Sequence, residues 1–137
     1  MMAVVGVDPG RAKAGYALVE FDGSVVRAGI EPLEQLPLRL AQVVTGSGAE
    51  AIALGRGTNA RALLPMLERL GLPVHLVDEK GTSHLARRLY FEEHPPKGWR
   101  RLIPLGLQLP ARPVDDYAAI LIARRFLARG AEAGPPS

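Results

Sequence analysis

The chain opens on small apolar residues without alternation, Ala3-Val4-Val5-Gly6-Val7. A strand with that pattern is covered on both faces. Asp8 closes the run, and Pro9-Gly10 turns the chain, because proline presets one dihedral and glycine accepts positive φ. A second apolar run, Tyr16 to Phe21, follows a short loop, which predicts an antiparallel neighbour. Asp22-Gly23 reads as a hairpin turn, and Ser24 to Ile30 as a third strand with Val26, Ala28 and Ile30 on one face. These runs predict a three-stranded meander with Asp8 at or near mid-sheet, beside a loop bearing Arg11 and Lys13.

From residue 33 the period changes. Leu33, Leu36, Leu40, Val43 and Val44 recur at helical spacing, Pro37 marks an alternative start, and Gly46-Ser47-Gly48 ends the helix. Ala49 to Leu54 is a fourth strand, followed by the loop Gly55-Arg56-Gly57-Thr58-Asn59. Thr58 or Asn59 is the expected cap of a helix whose face is Leu63, Met66, Leu67 and Leu70; Pro65 should bend or delay it, and Gly71 stops it. Pro73 to Val77 is a fifth strand that runs into Asp78 and Glu79, and Thr82 or Ser83 is the expected cap of a helix reaching about His94. Alternating strands and helices predict parallel strands with right-handed crossovers in this half. Residues 95–112 form a long loop with Lys97, Trp99, Arg100, Arg101 and Arg112. A last helix is expected from Pro113 to about Arg129, apolar all round over Tyr117 to Ala123. The predicted class is α/β, a mixed five-stranded sheet flanked by helices, in one domain over 1–130 with a frayed tail over 131–137.

Composition narrows the function. At 137 residues and 47% hydrophobic, the chain supports one sound core, and no apolar run approaches the roughly 20 residues of a membrane span. The N-terminus lacks the basic, apolar and small-residue regions of a secretory signal, so no membrane partner and a cytoplasmic location are expected. Without cysteine there is no disulfide framework or thiolate metal site, and His75, His84 and His94 lack the spacing of a helical zinc pair. The net charge is +3, from 17 basic and 14 acidic residues, and only Lys13, Lys80 and Lys97 of the basic set are lysine. An arginine-rich surface suits bidentate phosphate contact and permits a nucleic-acid partner.

Three carboxylate positions stand at ends of buried elements: Asp8 after the first strand, Glu79 after the fifth, and Asp115 with Asp116 at the start of the last helix. Each has a simpler reading, as a turn residue, a solvated loop or a helix-dipole partner. Together, on a mixed sheet, they suggest a cluster whose mutual repulsion a divalent cation relieves.

The segment Val5-Gly6-Val7-Asp8-Pro9-Gly10 through Gly15-Tyr16-Ala17 resembles the first motif of the YqgF family, RuvC-like proteins of the ribonuclease H fold. Val77-Asp78-Glu79-Lys80-Gly81-Thr82-Ser83 resembles its Asp-Glu-Arg motif, with Lys80 in place of arginine. Val114-Asp115-Asp116-Tyr117-Ala118-Ala119 resembles its Asp-x-x-Ala-Ala motif, and the spacing selects Asp115 over Asp116. The resemblance implies a metal-dependent nuclease with Asp8, Glu79 and Asp115 as catalytic and metal-binding acids. It implies two Mg²⁺ or Mn²⁺ ions, one lowering the pKa of the attacking water and one stabilising the departing 3′ oxygen. The implied substrates are ribosomal RNA precursor or branched DNA such as a Holliday junction. The loop Gly55 to Asn59 lacks the family's Gly-Leu-Pro pattern and is closer to the YqgF-like domain of the transcription factor Tex, which supplies the alternative of a binding module without catalysis. Sugar-kinase and actin-like ATPases open with a similar hairpin but need two such domains.

Arg11, Lys13 and Lys80 neighbour the acids in sequence and are the first candidates for phosphate contacts; Arg56, Thr58 and Asn59 are the second. Trp99 with Lys97, Arg100 and Arg101 suits stacking among backbone-binding cations, or Trp99 covers the core. Arg124, Arg125 and Arg129 are expected to serve the C-terminus of their own helix. No clear dimer stripe is visible, so a monomer or weak homodimer is expected, a state that sedimentation with and without a junction would decide.

Overall fold

The structure is a computed structural model that describes residues 3–57, 59–98, 102 and 113–132. Five strands, β1 (Ala3–Asp8), β2 (Lys13–Glu20), β3 (Val25–Pro32), β4 (Ala49–Gly55) and β5 (Val74–Val77), form one sheet in the order β3-β2-β1-β4-β5. β1 pairs antiparallel with β2, and β2 with β3, while β4 runs parallel to both β1 and β5. The meander followed by parallel strands is the predicted layout, and β1 is the central strand.

Helices α1 (Leu36–Val44) and α2 (Ala60–Glu68) cover one face, and α3 (Thr82–Glu93) and α4 (Asp115–Glu132) the other. Strand parity explains the division. Val5 and Val7 of β1 join Leu36, Leu40 and Leu67 in one apolar layer, while Val4 joins Ala86, Tyr90 and Ala119 in the other. Every residue of β1 before Asp8 is buried, as the run without alternation requires. β3 is an edge strand, and there Val26 is about half exposed rather than part of an apolar face.

Local signals were weaker at helix starts. α1 begins at Leu36, with Pro37 in its first turn, where a missing N–H costs nothing. Pro65 lies inside α2, where it has no N–H to offer the carbonyl of exposed Arg61. Asn59 stands before α2 without capping it; its amide nitrogen donates to the Gly10 carbonyl at 2.9 Å instead. Neither Thr82 nor Ser83 caps α3: Gly81, with φ of +80°, occupies that position. α4 starts at Asp115, two residues after Pro113, and continues past Arg129, so residues 131 and 132 are helical. The rest of the expected tail, 133–137, lies outside the described residues.

α4 sits directly on β1 and β2 because two strand residues have no side chain. A Cβ on Gly6 would strike the Ala119 carbonyl and stand 2.9 Å from the Ala123 methyl carbon; one on Gly15 would collide with the Asp115 carbonyl. Gly15→Ala should therefore push the start of α4 off the sheet and cost about 3 kcal/mol, because the obstacle is backbone and cannot rotate away. Urea unfolding checks this; a change below about 0.5 kcal/mol would contradict the close approach.

Candidate active site

The site is assembled where β1 and β4 end. Val4, Gly6 and Asp8 alternate onto the face under α4, so the strand period alone aims Asp8 at that helix. Asp8 is in register with Gly15 across the β1–β2 ladder, and Gly15 is the residue on which the Asp115 backbone rests. The missing Cβ that seats α4 also brings Asp115 beside Asp8. Glu79 arrives from the loop after β5 and reaches over the end of β4. Cβ atoms on Gly55 and Gly57 would lie 2.7 and 2.6 Å from its carboxylate oxygens.

Burial is the largest force on Asp8, followed by the negative charges of Asp115 and Glu79 and a side-chain hydrogen bond with Glu79. Together they push its carboxyl up from 3.8 to about 7. Burial also raises Glu79, with a smaller push from Asp78, while its hydrogen bond with Asp8 works in the opposite direction. The physical picture is one proton on Asp8, donated towards Glu79, with Asp115 a negative neighbour. As they lie, among the described residues no three His, Cys, Asp or Glu side chains are arranged to hold a metal ion. Asp116 accepts the Tyr117 N–H at 3.0 Å in the first turn of α4, and the Tyr117 hydroxyl donates to Glu93, tying α3 to α4.

The Glu79 loop is held by hydrogen bonds. The Asp78 carboxylate accepts the Lys80 N–H at 2.9 Å, and the Glu79 carbonyl accepts both the N–H of buried Thr82 at 2.9 Å and its hydroxyl at 2.7 Å.

Of the basic candidates, Arg11, Arg56, Lys80 and Lys97 are exposed, and Lys13 is half-buried at the start of β2. Asn59 ties the Pro9-Gly10 turn to the start of α2 through its amide. Thr58, Trp99, Arg100 and Arg101 lie outside the described residues. Sequence reading missed Arg61: one helical turn beyond the Arg56 loop, it joins Arg56, Gly57, Ala60, Leu64 and Leu76 around a cleft of about 380 Å³ beside the Glu79 carboxylate. Its position on the exposed side of α2 was the only available signal.

Arg124 and Arg125 do not serve the end of their own helix, while Arg129 does stand in its last turn. Arg124 donates to the Gly23 carbonyl at 3.0 Å, Arg125 to the carbonyls of Asp78 and Lys80 at 2.6 and 3.1 Å, and Arg129 to that of Leu76 at 3.5 Å. α4 lies across the sheet, so these side chains meet the carbonyls of strand ends and loops.

Folded Asp8 keeps its proton to about pH 7, whereas an unfolded chain releases it near 3.8. Between those values the folded state binds the extra proton, so this contribution to stability falls as pH rises through the window. In metal-free buffer the urea midpoint should drop between pH 5.5 and 8, and Asp8→Asn should raise stability at pH 8 by about 1–3 kcal/mol. An Asp8→Asn protein no more stable than wild type at pH 8 would contradict the buried, repelled carboxyl.

No family model matches the chain. A Novosphingobium aromaticivorans protein named "Putative pre-16S rRNA nuclease" is 27% identical, over 88% of this chain and 81% of that protein. The RuvC structure from Thermus thermophilus matches with a TM-score of 0.59 and 21% identity, covering 97% of each chain. A ROK family transcriptional regulator matches with a TM-score of 0.45 and 18% identity, over 64% of this chain and 30% of that one. Among the described residues no helix is long and apolar enough to cross a membrane. The sequence relative and the full-length fold match agree with the resemblance drawn from the acid motifs: the chain is similar in sequence to a protein named as a pre-16S rRNA nuclease and has a RuvC-like α/β fold built on a mixed five-stranded sheet.

Proposed function

We propose that the chain is a metal-dependent nuclease that hydrolyses phosphodiester bonds, with Asp8, Glu79 and Asp115 as its catalytic acids. The observation that carries this reading is the gathering of acids from β1, the β5–α3 loop and the start of α4, which leaves Asp8 titrating near 7. A fold that needed these residues only as turn or helix-start polar groups has no reason to bury one carboxylate against two others. The name of the sequence relative supports ribosomal RNA precursor as substrate. Branched DNA, which the motif resemblance to RuvC-like proteins implies, is the second substrate to test.

The donor chemistry suits a hard divalent cation, Mg²⁺ or Mn²⁺: three carboxylates, all oxygen donors, short of positive charge. Asp8, Glu79 and Asp115 would hold it, and when bound it supplies neutralising charge and acidifies a water molecule. The chain's own residues do the rest. Asp8 gives up the proton it shares with Glu79. Gly55 and Gly57 have no Cβ, so the Glu79 carboxylate can lie close against the end of β4 and the loop after it. Arg56 and Arg61 offer guanidinium groups to strand phosphates beside the acids, while Leu64 and Leu76 give the same cleft an apolar wall for a sugar or base. Arg11 and Lys80 are exposed next to the acids and extend the basic rim.

With labelled ribosomal RNA precursor and a four-way DNA junction as substrates, Asp8→Asn should reduce Mg²⁺- or Mn²⁺-dependent cleavage about 100-fold or more and leave binding within about threefold. Chelation with EDTA should abolish wild-type cleavage. Undiminished cleavage by Asp8→Asn would sink the catalytic assignment. Binding without cleavage in either metal would replace the nuclease with a binding module.

Arg61→Gln should weaken binding of a single-stranded RNA about three- to tenfold near 0.1 M salt and reduce the slope of log affinity against log salt by about 0.7. An unchanged slope would remove Arg61 from the phosphate path.

A further inference from the structure

Glu79 is the one acid of the three that stands in a loop. Asp8 is held in the central strand and Asp115 by the first turn of a helix seated on the sheet. A loop acid works at a fixed depth only when its backbone is gripped from outside. Arg125 supplies such a grip. One of its terminal nitrogens, Nη1, donates to the carbonyl before Glu79, that of Asp78, at 2.6 Å. The same nitrogen donates to the carbonyl after it, that of Lys80, at 3.1 Å. A guanidinium Nη carries two hydrogens, so each carbonyl takes one. The Glu79 carbonyl between them is turned the other way, onto Thr82. The root of Arg125 is anchored as well, because Ile122, one helical turn earlier, is fully buried against Val77 and Ala53.

Resting on the nuclease reading of the acids, we infer that Arg125 is a positioning residue that sets the reach of the Glu79 carboxylate towards Asp8. Because Asp115 and Arg125 share α4, one rigid element fixes both outlying acids against the central one. Arg124 is the natural comparison. It also donates to a backbone carbonyl, that of Gly23, but at a hairpin remote in sequence from the acids. Losing either arginine removes a helix-to-loop tie; only the loss of Arg125 should disturb the site.

The test compares Arg125→Met, Arg125→Lys and Arg124→Met in the full chain. Three quantities are read: hydrogen exchange of residues 78–82, Mn²⁺ affinity by calorimetry, and kcat and KM for cleavage. Arg125→Met should speed exchange in 78–82, weaken Mn²⁺ binding about tenfold, and lower kcat about tenfold with KM within about twofold. Arg125→Lys, which keeps a donor of more than one hydrogen, should recover part of each loss. Arg124→Met should leave all three quantities at wild-type values. Unchanged exchange of 78–82 in Arg125→Met overturns the inference, as do equal effects of Arg125→Met and Arg124→Met on Mn²⁺ affinity. A wild-type protein that cleaves nothing defeats the nuclease reading instead, and exchange with Mn²⁺ affinity still decides the role of Arg125.

Discussion

The structure depends on how closely α4 lies on the sheet. Two strand positions without side chains, Gly6 and Gly15, let the helix backbone rest on β1 and β2, and everything on that face follows. The small residues Ala118, Ala119 and Ala123 belong to the same contact and are buried. Bulkier residues on either side would lift the helix by the width of a methyl group or more and open the layer beneath. The contact that closes the core also delivers Asp115, so packing and site geometry are one arrangement.

Against that packing stands an electrostatic cost. Near the ends of β1 and β4, burial and the negative charges of Asp115 and Glu79 all act on Asp8 and push its carboxyl up to about 7. Proton and cation are alternative answers to the same deficit of positive charge. The nearby arginines do not supply that charge: Arg125 is engaged with carbonyls, and Arg56 and Arg61 face the neighbouring cleft. The cluster is thus left electrostatically unsatisfied while its surroundings are well bonded.

Much of this was legible before any coordinates. The unbroken apolar run from Ala3 to Val7 announces a strand buried on two faces, and the short loop to the next run announces an antiparallel partner. The three acid motifs could be picked out because each ends or begins a strongly patterned element. What escaped detection involves partners far apart in sequence. Asn59 carries a good capping side chain, yet the Gly10 carbonyl, brought near by folding, takes it, whereas the Thr82 hydroxyl is taken locally by the carbonyl of Glu79. Because α4 runs on to Glu132, Arg129 stands in its last turn while Arg124 and Arg125 lie mid-helix, where the crossing of α4 over the sheet gives them carbonyl acceptors. Local chemistry specifies that a group will be satisfied; tertiary geometry decides by whom. Arg61 escaped for the opposite reason, since an exposed arginine has no local pattern to set it apart.

The order of the elements has a consequence for biosynthesis. β1 and β2 are synthesised before α4, but Val4, Ala17 and Val19, on the face they present to that helix, have their principal cover in it. Until about residue 123 has been made, that face is an apolar surface on a nearly finished sheet, flanked by the open edges of β3 and β5. A nascent chain in that state is a substrate for chaperones and for self-association. The same delay keeps Asp115 away from Asp8, so the third acid joins only when the sheet is closed over. The destabilising cluster is therefore assembled last, on a framework already able to bear it.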